Sequence, residues 1–315
     1  MKFYQRILKK FNKELLKMKK GRLEIILYHF VSDENNIFTG FGHNVKPVVF
    51  REQIKYLSEN YTIISFEQAK NVIINGYKGP YVSICFDDGY SNNIIEAYPI
   101  LEEFKIPATI FICPSVLGNR DLLWRDKIRY IINSNLTSQF IDFLKKCDNF
   151  SKYNFSLSVN NNFYGWSKKA SAITDMSIQD DLNDFFKFKN IKAPEIAAQC
   201  NLYIKKSDIG EFKYLSFGNH TWSHPLMTCL DFYKQEEEIL KAHKYLEEVE
   251  ISPCALSLPF APYNADTIAI CKKLNYDFIL DVSDEGNIIG RRGDDFLFLH
   301  RKMAPATLKG LKAII

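Results

Sequence analysis

Strand-like and helix-like runs alternate along this chain with a regularity that few folds satisfy. Between residues 61 and 113 the reading is strand Tyr61–Ser65, helix Phe66 to about Asn75, strand Tyr81–Phe86, helix about Asn93 to Phe104, and strand Ala108–Cys113. The rhythm returns with strand Tyr214–Gly218, helix about Asp231–Glu248, strand Cys254–Leu258, helix about Ala265–Leu274 and strand Tyr276–Asp281. Upstream, Leu23–Val31 reads as another strand, and Pro47 opens a helix with Phe50, Ile54 and Leu57 on one face. Repeated β-α-β units require parallel strands with helices outside, so the expected architecture is a doubly wound sheet or a barrel.

Two regions break the rhythm. Residues 119–205 hold helical pieces (Trp124–Asn133, Ser138–Cys147, Ile178–Phe186) around the polar stretch Ser156–Gly165, and read as a helical insertion on the rim. Residues 1–22 form an arm in which Phe3, Tyr4, Ile7, Leu8, Phe11 and Leu15 recur at helical spacing. The expected organisation is a basic amphipathic helix at 1–22 followed by one domain over 23–315. The arm carries nine Lys or Arg against Glu14, while the remainder carries 32 basic and 36 acidic residues. The basic character belongs to the arm alone, and the mildly acidic body argues against a nucleic-acid surface.

Composition excludes further classes. Apolar residues are 46% and charged residues 25%, which rules out disordered, collagen-like and coiled-coil chains. No run approaches 18 apolar residues, so no membrane-spanning helix is expected, and no secretory signal is expected. The seven cysteines are widely spaced with no CxxC pair. That pattern fits buried thiols in a reducing compartment better than a disulfide framework.

Two motifs carry chemistry. Asp87 and Asp88, in Cys85-Phe-Asp-Asp-Gly-Tyr90, follow a buried strand directly. Adjacent carboxylates at the C-terminal end of a parallel strand sit where α/β folds place active sites, and they repel unless a cation or shared proton relieves them. An Asp-Asp-Gly turn is also ordinary loop chemistry. His220 and His224, in Gly218-Asn-His-Thr-Trp-Ser-His-Pro225, are four apart, a spacing that lets two imidazoles of one short turn grip one metal. Together the motifs offer two imidazoles, one carboxylate ligand and a spare carboxylate to take a proton from water.

These segments resemble the polysaccharide deacetylases, the NodB-homology domains of carbohydrate esterase family 4. "LYHFVSD" (27–33) is similar to the family's opening strand, "VSICFDDGYSNN" (82–93) to its first catalytic motif and "KIPATIFI" (105–112) to the strand after it. "FGNHTWSHPLM" (217–227) is similar to the histidine motif and "SLPFAPYN" (257–264) to the groove-wall motif. The resemblance covers roughly residues 23–118 and 203–300; within the insertion, "LLWRDKI" (122–128) echoes a segment of some relatives.

The resemblance implies a distorted (β/α) barrel with fewer than eight strands. It implies Asp87 as general base, with Asp88, His220 and His224 as ligands of one divalent ion, most simply Zn2+. It further implies a backbone N–H from Phe260 facing the oxyanion, and Phe260 and Tyr263 on the substrate side; Trp222, between the two histidines, reads either as a platform for a sugar ring or as groove-wall packing. The chemistry implied is hydrolysis of an acetamide on a sugar. O-deacylation, deformylation and a non-catalytic glycan-binding module are the alternatives. Two departures stand out. The groove motif of relatives begins with arginine, where this chain has Ser257. Their late Leu-x-His motif, which supplies a general acid, has as its nearest match "FLFLHR", with Phe298 two places before His300. A structural role for His300 stands beside the acid reading. An arginine from elsewhere, such as Arg125 or Arg301, is expected near Asp87.

Other residues read as packing first: His29 and Tyr28 at a strand end, Trp124 and Trp166 in the insertion, and His43 and His243 without partner motifs. The partner expected is a carbohydrate, in a cytoplasmic or membrane-peripheral glycan pathway; the stripe of residues 2–20 reads either as packed on the barrel or a second subunit, or as a membrane contact.

Overall fold

A computed structural model of the chain describes residues 21–33, 36–39, 41–147, 149, 153, 163–166, 176–288 and 297–315. The expected arm helix and most of the polar stretch 156–165 lie outside the described residues. The first half contains β1 (Arg22–Tyr28), β2 (Phe30–Val31), β3 (Asn44–Val45), α1 (Pro47–Asn60), β4 (Thr62–Ile63), α2 (Phe66–Asn75), β5 (Pro80–Phe86), α3 (Tyr98–Phe104) and β6 (Ala108–Ile112). Between β6 and the next strand come α4 (Trp124–Asn133), α5 (Thr137–Lys146), α6 (Phe163–Trp166), α7 (Ile178–Phe188) and α8 (Ala193–Gln199). The chain continues with β7 (Leu215–Asn219), α9 (Phe232–Glu248), β8 (Ala255–Ser257), α10 (Ala265–Lys273), β9 (Phe278–Val282), β10 (Asn287–Ile288), β11 (Leu297–Met303) and α11 (Leu308–Ile314).

Seven strands pair in parallel in the order β1-β5-β6-β7-β8-β9-β11, and β11 returns to β1, which closes a barrel. The doubly wound alternative is thereby excluded, because an open sheet has two unpaired edges. Short strands fill the lower gaps: β4 pairs with the start of β5, and β10 runs antiparallel to the start of β1.

Alternation sets the two faces of each strand. Leu23, Ile25, Leu27, Cys85, Phe111, Phe278, Leu280 and Leu299 point inward and form one buried cluster. Ile26, Tyr28, Ile84, Phe86, Ile110 and Phe217 point outward, under the helices. Each such ring or branched chain contributes roughly 1.5–3 kcal/mol on full burial. The interior is tight enough to require glycine at 218, where a Cβ would overlap the Phe111 ring.

Local signals explain the helix ends. Ser65 and Gln68 form a capping box on α2, which stops at Gly76 in a left-handed conformation. Asp231 caps α9 through the Lys234 N–H, and Asn264 caps α10 through Thr267. The expected helix at 93–104 begins instead with a π turn over Asn93–Ala97 before α3. Three helices appear that periodicity did not announce: the four-residue α6, and α8 and α11 of seven residues each. A separate core joins α4, α5, α7 and α8 through Ile128, Phe140, Leu182, Phe185 and Ala197.

Candidate active site

Asp87 and Asp88 leave β5 at the C-terminal mouth of the barrel. The Asp87 N–H donates to Tyr28 O at 3.1 Å, which extends the β1–β5 ladder by one step. Asp88 and Gly89 then take left-handed φ values of 73° and 72°, a conformation that aspartate and glycine tolerate best. Segment 202–204 clamps this turn: Ser91 N donates to Leu202 O at 2.9 Å, and Ile204 N to Gly89 O at 3.0 Å.

The two histidines come from the end of β7 and the loop after it. That loop is not a helical turn; Thr221 and His224 both have positive φ, 66° and 62°. A β-branched residue with positive φ is strained, and such strain persists where surrounding contacts over-determine it. Here the Thr221 N–H donates to Asn219 Oδ1 at 2.7 Å, and Thr221 Oγ1 accepts from His224 N at 3.2 Å. His220 Nδ1 lies 2.8 Å from Ser257 O. That contact assigns the ring proton to Nδ1 and turns the Nε2 lone pair toward the carboxylates.

Asp88 Oδ1 lies 3.4 Å from His220 Nε2 and 3.3 Å from His224 Nε2. It is buried and makes no hydrogen bond. One ligand atom from each of the three residues falls within a 4.8 Å cluster. Tetrahedral bonds of about 2.0–2.2 Å separate neighbouring ligand atoms by about 3.3–3.6 Å, so the donor set fits a divalent ion such as zinc. Electrostatics agree: burial pushes His224 down to about 3, leaving its imidazole neutral and able to donate a lone pair. Burial would raise the Asp88 carboxyl, but His224 and His220 outweigh it and hold it well below the usual carboxylate range.

Asp87 is held differently. Its Oδ1 accepts from Arg301 Nη1 at 2.7 Å and from Ser257 Oγ at 3.0 Å, while Oδ2 lies 3.7 Å from His220 Nε2. Burial opposes ionisation here too, yet Arg301, then His220 and His29, keep the carboxyl below its ordinary range. Of the two arginines expected near the base, Arg301 is the one that bonds it. Arg125 instead sets its guanidinium over Trp124, Tyr164 and Phe260, at 5.1, 4.3 and 5.5 Å from the ring centroids.

The remaining predicted residues divide. The Phe260 ring meets His224 at 4.9 Å, and the backbone at Phe260 and Ala261 is left-handed. Tyr263 stacks on Phe298 at 5.0 Å. Trp222 packs against α9, 6.4 Å from the Tyr245 ring and under Lys241. The contacts of Tyr263 and Trp222 therefore lie with packing partners and not with the Asp87–His224 group. His300 departs furthest from expectation. Leu299 and Arg301 face the barrel interior, so alternation turns His300 outward, where Nδ1 meets Asp281 Oδ1 at 2.8 Å. The registers Ile26↔Lys302 and Tyr28↔Phe86 place His300 beside Glu24, five residues before His29 at the level of Asp87. The acid role expected of His300 is corrected on that ground.

Sequence reasoning missed a supporting layer contributed by α4. Trp124 Nε1 donates to His224 O at 2.8 Å, which fixes the histidine loop from above. Asp126 and Arg129 pair at 2.6 Å and share the Tyr90 hydroxyl, while Tyr203 donates to Asp126. The motif "LLWRDKI" was the one signal for this layer. His29 was read as packing; burial lowers its pKa against the pull of Asp88 and Asp87, so it borders the site electrostatically.

The profile of the family described as polysaccharide deacetylase matches residues 75–146 and 212–279. YxkH of Bacillus subtilis strain 168, a polysaccharide deacetylase homologue, is 28% identical over 132 residues; the match spans 40% of this chain and 45% of YxkH, under half its length. Among solved structures, the polysaccharide deacetylase BC0361 from Bacillus cereus superposes with TM-score 0.60 at 16% identity, covering 94% of this chain and 69% of that one. The Streptococcus pyogenes deacetylase PplD, solved with acetate, gives 0.57 at 17% identity over 94% and 98% of the two chains. A de-N-acetylase from Aggregatibacter actinomycetemcomitans gives 0.58 at 13% identity over 93% and 100%. These likenesses establish the barrel fold, and the profile match, which spans both chemical motifs, makes this chain similar to the polysaccharide deacetylase family.

Proposed function

We propose that this chain is a metal-dependent N-deacetylase acting on an acetamido sugar. The observation that carries the reading is the buried Asp88–His220–His224 cluster, whose Asp88 Oδ1 is unbonded at 3.3–3.4 Å from two imidazole nitrogens, beside a second carboxylate held by Arg301. A bound Zn2+ supplies Lewis acidity to the acyl oxygen and lowers the pKa of a water. Asp87 Oδ1 is fully engaged by Arg301 and Ser257, so Oδ2 is the atom left to accept the water's proton. His220 keeps its ligand lone pair aimed because Ser257 O holds Nδ1. The left-handed turn at Phe260 and Ala261 orients the backbone beside His224, where the resemblance places an oxyanion donor. With His300 facing away, the proton accepted by Asp87 is the one returned to the departing amine. Cation–π contacts of Arg125 with Trp124 and Phe260 stiffen the wall next to His224.

The test is acetate release from chito-oligosaccharides by zinc-loaded protein, with chelator-treated protein as control. Release that stops on chelation and returns with zinc supports the reading. Hydrolysis of O-acetyl but not N-acetyl sugars would assign the site to ester chemistry, and binding without release to a glycan-binding module. The location we propose is cytoplasmic or membrane-peripheral: the widely spaced cysteines without a CxxC pair favour a reducing compartment, and the basic, amphipathic sequence of residues 2–20 favours contact with a membrane surface.

A further inference from the structure

We propose that His300 is a positioning residue: together with Asp281 and Asn287 it fixes the register of β11 so that Arg301 meets the base. The inference rests on Asp87 being the base. Asp281 engages two consecutive residues of β11 on opposite faces. Its carboxylate Oδ1 lies 2.8 Å from His300 Nδ1 on the outer face, and its carbonyl accepts from Arg301 Nε at 3.1 Å. Asn287 brackets the same point. Its Oδ1 accepts from His300 N at 2.8 Å, and its Nδ2 donates to His300 O at 2.8 Å and to Leu23 O at 3.2 Å. The residue before Arg301 is thus tied to β9, β10 and β1 at once.

The reason for so many ties lies in the side chain that follows. Arg301 is fully buried, and its guanidinium must cross the interior, over the Phe111 ring at 5.8 Å, to reach Asp87. A long side chain has many rotamers to lose, and misplacing a reacting group by about 1 Å can cost on the order of a hundredfold in rate. Fixing the backbone of the preceding residue sets where the Arg301 side chain starts, and the bond from its Nε to Asp281 O limits its path. His300 then acts through Arg301 on Asp87 and touches neither substrate nor metal.

The experiment compares zinc-loaded wild type with His300→Ala, His300→Gln, Arg301→Met and the double variant His300→Ala/Arg301→Met, with rates taken per bound zinc. Substrates are chito-oligosaccharide and p-nitrophenyl acetate. Expected is a fall in kcat of about tenfold for His300→Ala on both substrates at unchanged KM, with most activity kept in His300→Gln. In the Arg301→Met background, His300→Ala should add less than about twofold, since coupled residues are non-additive. A loss confined to the amide substrate would make His300 the proton donor, and additive losses would separate it from Arg301; either overturns the proposal. A crystal structure of His300→Ala, or of His300→Gln should alanine not fold, reads the same point without turnover. Lengthening of the Arg301–Asp87 contact beyond 3.5 Å is expected for alanine and its retention for glutamine; an unchanged contact in alanine, or a broken one in glutamine, overturns it. If wild type hydrolyses neither substrate, the hydrolase reading fails, and these structures still decide the positioning.

Discussion

Arg301 Nη1 and Asp87 Oδ1 stand 2.7 Å apart, although the residues are 214 positions apart and their strands, β11 and β5, are separated by β1. The pair bridges the barrel from inside, so Asp87 is anchored to a strand that does not neighbour its own. Such a buried pair is costly to break from one side, by about 3–5 kcal/mol, because the survivor is left charged and alone.

The pH dependence follows from that pair. As the proposed base, Asp87 would accept a proton only when ionised, so activity is expected to fall as pH drops through its pKa. Burial raises that pKa, and Arg301, foremost among the opposing charges, brings it below the ordinary value. Arg301→Met leaves burial less opposed. The acidic limb of kcat/KM should therefore move to higher pH, measured at constant zinc occupancy. A limb that stays in place would mean that another group takes the proton.

Asp87→Asn keeps the shape of the side chain but cannot accept a proton at neutral pH. The expected result is full zinc content with kcat reduced about 10²–10⁴-fold, the usual weight of general-base catalysis. Near-normal turnover would reduce Asp87 to a loop residue.

Removing either imidazole should remove the metal. In His220→Ala or His224→Ala only two ligands remain of the Asp88, His220 and His224 cluster. Zinc content by elemental analysis and acetate release should fall together, and added zinc should restore neither at micromolar concentration. A variant that keeps full hydrolysis without metal would refute the metal-hydrolase reading.

How much of this was legible depended on whether the partners were close in sequence. Asp87 and Asp88 are adjacent, His220 and His224 four apart, and both motifs sit just past buried strands, so residue type and spacing sufficed. Arg301 was legible only as one of two arginines, because its role depends on which face of β11 points inward. That same alternation undid the acid reading of His300, one residue away, and sent it to Asp281. Trp222 lies between the two histidines in sequence, yet its ring packs on α9, since the loop's positive-φ residues redirect successive side chains. The seven-residue helices α8 and α11 were hidden because so few turns hold too few apolar repeats to register a period.

The barrel interior gives a stability prediction. A Cβ at position 218 would overlap Phe111 Cε1 and Cδ1, ring atoms enclosed by the inner cluster. Gly218→Ala should destabilise by about 1–3 kcal/mol, the range for overpacked cores. Adding Phe111→Leu should recover part of that loss in thermal unfolding, because it removes the clashing ring edge. A Gly218→Ala chain as stable as wild type would mean the inner wall yields more than its packing suggests.

The last prediction concerns residues 2–20, which lie outside the described structure. Their sequence combines an apolar stripe with eight Lys or Arg against Glu14, while the rest of the chain is mildly acidic. Such a segment can lie in a bilayer interface, with its stripe in the acyl boundary and its lysines over anionic headgroups. Each basic residue near that surface contributes about 1 kcal/mol, enough in sum for reversible attachment. A segment that packs its stripe on protein would bind by apolar contact, which salt does not weaken; attachment to anionic lipid weakens steeply with ionic strength. Sedimentation with phosphatidylserine-containing vesicles, at low and high salt, separates the two. The full chain should pellet at low salt and stay soluble at high salt, whereas a chain starting at Gly21 should stay soluble in both. Equal and negligible pelleting of the two chains would remove the membrane contact, and with it the sequence-based case for a lipid-linked sugar as the substrate.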